Sequence, residues 1–242
     1  MVSIVKDIKN AFTKEKDILF LHGYLSSGNS FYRQVDFLSR DFNLYMPDLK
    51  GFGENQNMPY PYALDDYIVE VQEYMYKRGI KNPHIVAHSF GARIAIKLAS
   101  QNPNIFNKMV LTGAAGLKRR FSLSTGLKKR TFKFLRLFVS KEKLQKFYSL
   151  DYQNLSPIMK QSFIKIVNEY LDDKLTLIKN QTLILHGKRD KETPLYMAKR
   201  LNKKIVNSKL IVLKDAGHFA FIDRPHKFNT EVKEFFLSKG AT

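Results

Sequence analysis

A chain of 242 residues with no cysteine, 44% hydrophobic side chains and a formal charge of +19 falls outside several classes at once. Its apolar content is too high for a disordered chain, its length buries one sizeable core without staples, and without thiols it has no disulfide, no cysteine-ligated zinc or iron–sulfur centre and no cysteine nucleophile. The charge comes from 41 Lys+Arg against 22 Asp+Glu and raises a nucleic-acid or anionic-surface reading, but a diffuse lysine excess reads first as a solvated face, so no nucleic-acid partner is expected.

In chain order, short apolar runs alternate with helical spacing. Residues 18–21 and 42–46 read as strands, followed by a helix over 64–77 with Leu64, Tyr67, Ile68, Val71 and Met75 on one face. A strand at 85–87 leads directly into a helix over 90–100, and another strand follows at 109–112. Residues 117–180 show helical patterns without a good strand. Strands return at 182–185 and 210–213. Helices are expected at 194–201, with Thr193 as N-cap and Pro194 at the first helical position, and at 228–237. This alternation predicts an α/β fold with a mostly parallel sheet flanked by helices, interrupted by a helical insertion. No run approaches the ~18 apolar residues of a membrane span, and the first residues lack a signal-type apolar core, so a cytoplasmic protein is expected.

The chemistry gathers at strand ends. Ala87-His88-Ser89-Phe90-Gly91 joins a strand to a helix, the setting in which small flanking residues let the chain turn sharply and hold a serine hydroxyl above the sheet. The first position of G-x-S-x-G is Ala87 here. A serine needs a base, and the base needs an orienting acid. Asp190 follows the 182–185 strand, and His218 follows the 210–213 strand in Asp215-Ala216-Gly217-His218. Asp215 and Glu192 are the other carboxylates within reach; Asp215 shares the histidine's short loop and Glu192 lies further from its strand. After the first full strand, His22-Gly23-Tyr24-Leu25 suits a loop of oxyanion donors, assigned to the backbone N–H groups of Tyr24 and Phe90.

These pieces, with Pro47-Asp48-Leu49-Lys50-Gly51-Phe52-Gly53, resemble the α/β-hydrolase superfamily, in its cap-bearing serine-hydrolase, esterase and meta-cleavage-product-hydrolase-like branch. The resemblance covers nearly the whole chain. It implies a cap after the sixth strand, dividing the chain into core 1–116, cap 117–180 and core 181–242. The first hairpin would be reduced, since only 17 residues precede Ile18. It also makes the 48–53 loop a structural turn rather than a nucleotide site.

The function expected is ester or thioester hydrolysis of a small to medium apolar or aromatic substrate by Ser89, His218 and Asp190, without cofactor and without metal. His22, Leu25, His88, Arg93 and Phe219 are candidate pocket residues, with His22 read as ordering its loop. Arg93, one turn after Ser89, is either an internal structural contact or a carboxylate clamp; a similarly placed arginine occurs in the SHCHC-synthase branch. The alternatives are therefore a C–C bond hydrolase or lyase acting on an acidic substrate, and a non-catalytic ligand-binding protein on the same fold. Residues 118–146 carry +10 of the +19 among many Phe and Leu. That stretch reads as an ordinary cap, as a contact for an anionic membrane surface, or as a dock for an acidic carrier such as acyl carrier protein or CoA. Nothing in the sequence sets the oligomeric state.

Overall fold

The computed structural model describes residues 7–8, 16–120, 152 and 155–238. Its strands are β1 (Asp7–Ile8), β2 (Asp17–Leu21), β3 (Asn43–Tyr45), β4 (His84–His88), β5 (Lys108–Thr112), β6 (Gln181–Gly187) and β7 (Ser208–Leu213). They form one sheet in the order β1-β3-β2-β4-β5-β6-β7. β1 runs antiparallel to β3, and every other neighbouring pair is parallel. Among the described residues one two-residue strand precedes β2, and in that numbering the long excursion follows the fifth strand, β5, where the resemblance implied a sixth.

Side chains alternate along each strand and build two cores. On one face Leu19, Leu21, Ile85, Met109, Leu111 and Ile184 pack under α2 (Leu64–Arg78), α3 (Phe90–Gln101) and α5 (Leu195–Lys204). On the other face Ile18, Phe20, Val86, Val110, Leu183 and Leu185 pack under Phe31, Phe221 of the short helix α6 (Ala220–Asp223) and the final helix α7 (Pro225–Leu237). Helix α1 (Tyr32–Leu38) has no counterpart in the sequence reading, because its buried positions are only Gln34 and Leu38. It is fixed by polar contacts: the Gln34 amide donates to Phe221 O at 2.9 Å and Asn229 Oδ1 at 3.0 Å.

Within the excursion, α4 (Pro157–Asn168) starts at Ser156, whose hydroxyl accepts from Met159 N at 3.2 Å, with Pro157 opening the helix. Leu171, Leu175 and Ile178 are fully buried in the core shared with α2 and α3, so the return leg of the excursion packs as core. The basic stretch beyond Arg120 lies outside the described residues. Among the described residues no helix is long and apolar enough to cross a membrane.

The tightest junction joins β4 to α3. Ser89 sits at φ 50°, ψ −105°, a strained conformation for a residue with a Cβ. Gly91 N donates to His22 O at 3.0 Å, drawing the start of α3 against the end of β2. A β-carbon on Gly91 would stand 2.2 Å from Leu21 O and 2.6 Å from Leu21 C, both backbone atoms that cannot swing away. Gly91→Ala is therefore expected to cost ~2–4 kcal/mol, read as a lower denaturant midpoint with unchanged slope.

Candidate active site

Parallel strands deliver their C-terminal ends to one edge of the sheet, and the loops leaving β2, β4, β6 and β7 meet there. Ser89 leaves β4. Its N–H donates to Thr112 O at 3.1 Å and its carbonyl accepts from Ala115 N at 3.3 Å, which anchors the strained residue to the loop after β5.

Asp190 leaves β6 in a turn closed by its own carboxylate. Oδ1 accepts the amides of Glu192 and Thr193, each at 2.9 Å. Oδ2 accepts Thr193 Oγ1 at 2.7 Å and faces His218 Nδ1 at 2.9 Å. Burial pushes this carboxyl up, but the hydrogen bonds from His218 and Thr193 outweigh it and hold the group at about 2. Thr193 is thus committed to Asp190. It does not cap the next helix, and α5 begins at Leu195 after Pro194. Asp215 is occupied on the surface by Arg189 and Arg224, each at 3.0 Å, so of the carboxylates considered it is Asp190 that reaches Nδ1.

His218 has a carboxylate on each side. Nε2 lies 3.2 Å from Glu192 Oε2, a side chain 66% exposed, and among the described residues no hydrogen bond joins Ser89 Oγ to the ring. His88 underlies this histidine. It is almost fully buried, its Nε2 donates to His218 O at 3.1 Å, and the two rings are 4.7 Å apart. Burial, followed by the neighbouring His218, lowers its pKa to about 3, so it stays neutral. The expected pocket role of His88 is therefore corrected to support of the His218 backbone, because its polar atoms are sealed from solvent.

His22 bridges its own loop to the 48–53 loop. Nε2 accepts Leu49 N at 3.0 Å, which puts the proton on Nδ1, where it bonds Gly23 O at 2.8 Å. Next to it the amides of Tyr24 and Phe90 meet no acceptor among the described residues. The Tyr24 ring packs edge-on to Phe52, Phe90 and Phe163 at 4.8–5.6 Å, and its hydroxyl donates to Met159 O at 3.2 Å, tying this loop to α4. Leu25 is half exposed with φ 57°, and Phe219 lies edge-on to His218 at 5.4 Å, 40% exposed. Phe219 thus flanks His218, while the Tyr24 ring closes on the buried rings of Phe52 and Phe90.

Arg93 is the second correction. Its guanidinium is buried, and Nη1 donates to Ile166 O and Glu169 O, both at 2.8 Å. Those carbonyls lie at the C-terminal end of α4, where Ile166 O also accepts Glu169 N at 3.3 Å, and holding them leaves this arginine no part as a carboxylate clamp. One turn on, Lys97 pairs with Asp65 and Glu169 at 2.7 and 2.5 Å. Sequence reasoning also missed Glu192 as a neighbour of Nε2 and Thr193 as a partner of Asp190. An Asp followed two and three residues later by free amides and a threonine hydroxyl is an Asx-turn signature, so the second was legible. Among the described residues no group of three or more His, Cys, Asp or Glu is arranged to hold a metal ion.

The 48–53 loop buttresses the site from outside. Asp48 accepts Gly28 N and Glu54 N, each at 2.8 Å. Glu70 of α2 accepts Lys50 N at 2.9 Å and Asn55 Nδ2 at 3.1 Å. Burial raises the Glu70 carboxyl from 4.5 to about 7 against the pull of the Lys50 amide. The folded carboxyl holds its proton more tightly than the unfolded one, so stability falls as pH rises from about 4.5 to about 7. Thermal melts at pH 5 and pH 8 are expected to show a smaller loss of stability in Glu70→Gln than in the unaltered chain.

A family model described as alpha/beta hydrolase fold matches residues 17–138 and 116–225. The chain is 28% identical over 244 residues to the AB hydrolase superfamily protein YisY of Bacillus subtilis, covering 91% of each. It is 26% identical over 227 residues to a 2-hydroxy-6-oxo-2,4-heptadienoate hydrolase of Pseudomonas putida, covering 84% of this chain and 81% of that protein. Among solved structures, the esterase EaEST of Exiguobacterium antarcticum superposes with TM-score 0.75 at 24% identity, covering 96% of this chain and 94% of that one, a likeness of fold.

Proposed function

The chain belongs to the alpha/beta hydrolase fold family and is a hydrolase, and within that family we propose that it is a cofactor-independent serine esterase. Ser89 is the nucleophile, His218 the base and Asp190 the group that orients the base. The observation that carries the reading is the pairing of a strained Ser89, at φ 50° between β4 and α3, with a 2.9 Å His218–Asp190 contact on the adjacent strand ends.

In this mechanism His218 Nε2 takes the Ser89 proton as Oγ bonds to the ester carbonyl carbon. The resulting oxyanion is met by the amides of Tyr24 and Phe90. As the C–O bond to the alcohol breaks, Nε2 returns the proton to the leaving oxygen. Water then adds to the acyl carbonyl, giving a proton to Nε2; the Ser89 ester bond breaks, Oγ recovers that proton, and the carboxylic acid leaves. Asp190, held at about 2, stays ionised throughout and keeps the proton of the imidazole on Nδ1. The partly exposed apolar side chains of Leu25 and Phe219, at the loops after β2 and β7, suit an apolar acyl chain or ring.

C–C bond hydrolysis of an acidic diketone, the chemistry suggested by the Pseudomonas relative's name, would use the same three residues. The ester reading is favoured because Arg93, the cation that the carboxylate-clamp alternative would need, is hydrogen-bonded to the carbonyls of Ile166 and Glu169. On a 4-nitrophenyl ester, Ser89→Ala is expected to lose at least ~10³-fold in kcat and Asp190→Asn ~10²–10⁴-fold. Near-normal turnover by Ser89→Ala, measured on protein with an unchanged melting temperature, would overturn the mechanism.

A further inference from the structure

The mechanism leaves one carboxylate at the reacting histidine unused. Glu192 Oε2 stands 3.2 Å from His218 Nε2, on the ring edge that takes the serine proton. Although the side chain is largely exposed, the main chain beneath it is held from both sides. Its N–H donates to Asp190 Oδ1 at 2.9 Å, and its carbonyl accepts Arg119 Nη2 at 2.7 Å. The turn that orients the histidine therefore also presents Glu192 to it.

Among the described residues no Lys or Arg forms an ion pair with the Glu192 carboxylate. Arg119 is engaged with the Glu192 carbonyl, Arg189 with Asp215, and Arg93 with the end of α4. Among the described residues the carboxylates that contact the imidazole are Asp190, buried and fully hydrogen-bonded, and Glu192, open to solvent.

We propose that Glu192 is a specificity-determining residue that makes this site take neutral and cationic esters in preference to anionic ones. The inference rests on the serine-esterase reading and names its substrate class. For Ser89 to reach Nε2, the Glu192 side chain must leave that nitrogen. A neutral ester lets it turn into water, a cationic ester gives it a partner, and an anionic ester meets a like charge at close range. At an effective dielectric between those of water and protein interior, such repulsion costs on the order of a tenfold factor in rate, and salt screens it.

The test is kcat/KM at low ionic strength for three matched esters: 4-nitrophenyl hexanoate, mono-4-nitrophenyl adipate and the 6-trimethylammonio analogue of the hexanoate. The unaltered enzyme is expected to disfavour the adipate about tenfold against the hexanoate and to accept the cationic ester at least as well. Glu192→Gln is expected to erase most of the adipate penalty, read as the adipate-to-hexanoate ratio of kcat/KM, and 0.5 M salt should shrink the difference in that ratio between the two proteins. Asp215→Asn removes an exposed carboxylate already paired with Arg189 and Arg224 and should leave the ratio as it was. The proposal is overturned if the adipate-to-hexanoate ratio is the same in Glu192→Gln, or if Asp215→Asn moves it as far. Ser89→Ala in the same assay separates the two readings, since retained turnover there would remove the serine mechanism and leave the charge preference to stand or fall by the Glu192→Gln ratio.

Discussion

Four hydrogen-bond donors converge on the carboxylate of Asp190: the amides of Glu192 and Thr193, the Thr193 hydroxyl and His218 Nδ1. A carboxylate with a side chain this deeply buried could not remain charged without them. Satisfying it fixes the turn after β6, the ring of His218 on the loop after β7, and the main chain that carries Glu192. Two parallel strands with no covalent link at this edge are thereby held in the relation that the proposed chemistry needs. Beneath them, His88 bonds the His218 carbonyl from below, so the histidine is positioned through both its ring and its backbone.

The serine side of the site is ordered by backbone rather than by charge. Ser89 is locked in its strained turn by amide contacts to the loop after β5, and Gly91 allows α3 to close on the end of β2. His22 passes that constraint outward, bonding Leu49 N on one side and Gly23 O on the other. Asp48 and Glu70 then hold the 48–53 loop. The result is a rigid floor on which the Tyr24 and Phe90 amides stay without partners among the described residues, available for a developing negative charge.

The excursion between β5 and β6 is joined to this floor at several points. Arg93 holds the carbonyl end of α4, Tyr24 OH bonds Met159 O, Ser162 Oγ donates to Tyr62 O at 2.7 Å, and Lys97 bridges Asp65 and Glu169. Of the core residues involved, Tyr24 carries one proposed oxyanion donor and Arg93 lies one turn after the other, Phe90. Placement of α4 is thus coupled to the Tyr24 loop and to α3 through these side chains.

The sequence by itself determined the sheet, the strand ends and the chemical types gathered there. Apolar runs separated by 3.6-period faces leave little choice but parallel strands under helices, and Ser89, Asp190 and His218 each follow such a run by a few residues. Contacts between distant segments were not legible, because no local pattern encodes them. The guanidinium of Arg93 could equally have faced a substrate until α4 laid two carbonyls against it, and Thr193 looked like a helix cap until Asp190 claimed its hydroxyl. Helix α1 was silent because its buried face is anchored by an amide rather than by an apolar stripe. Only the tertiary structure brought Glu192 to His218 Nε2, since that contact depends on where a turn closed by one carboxylate happens to aim the next.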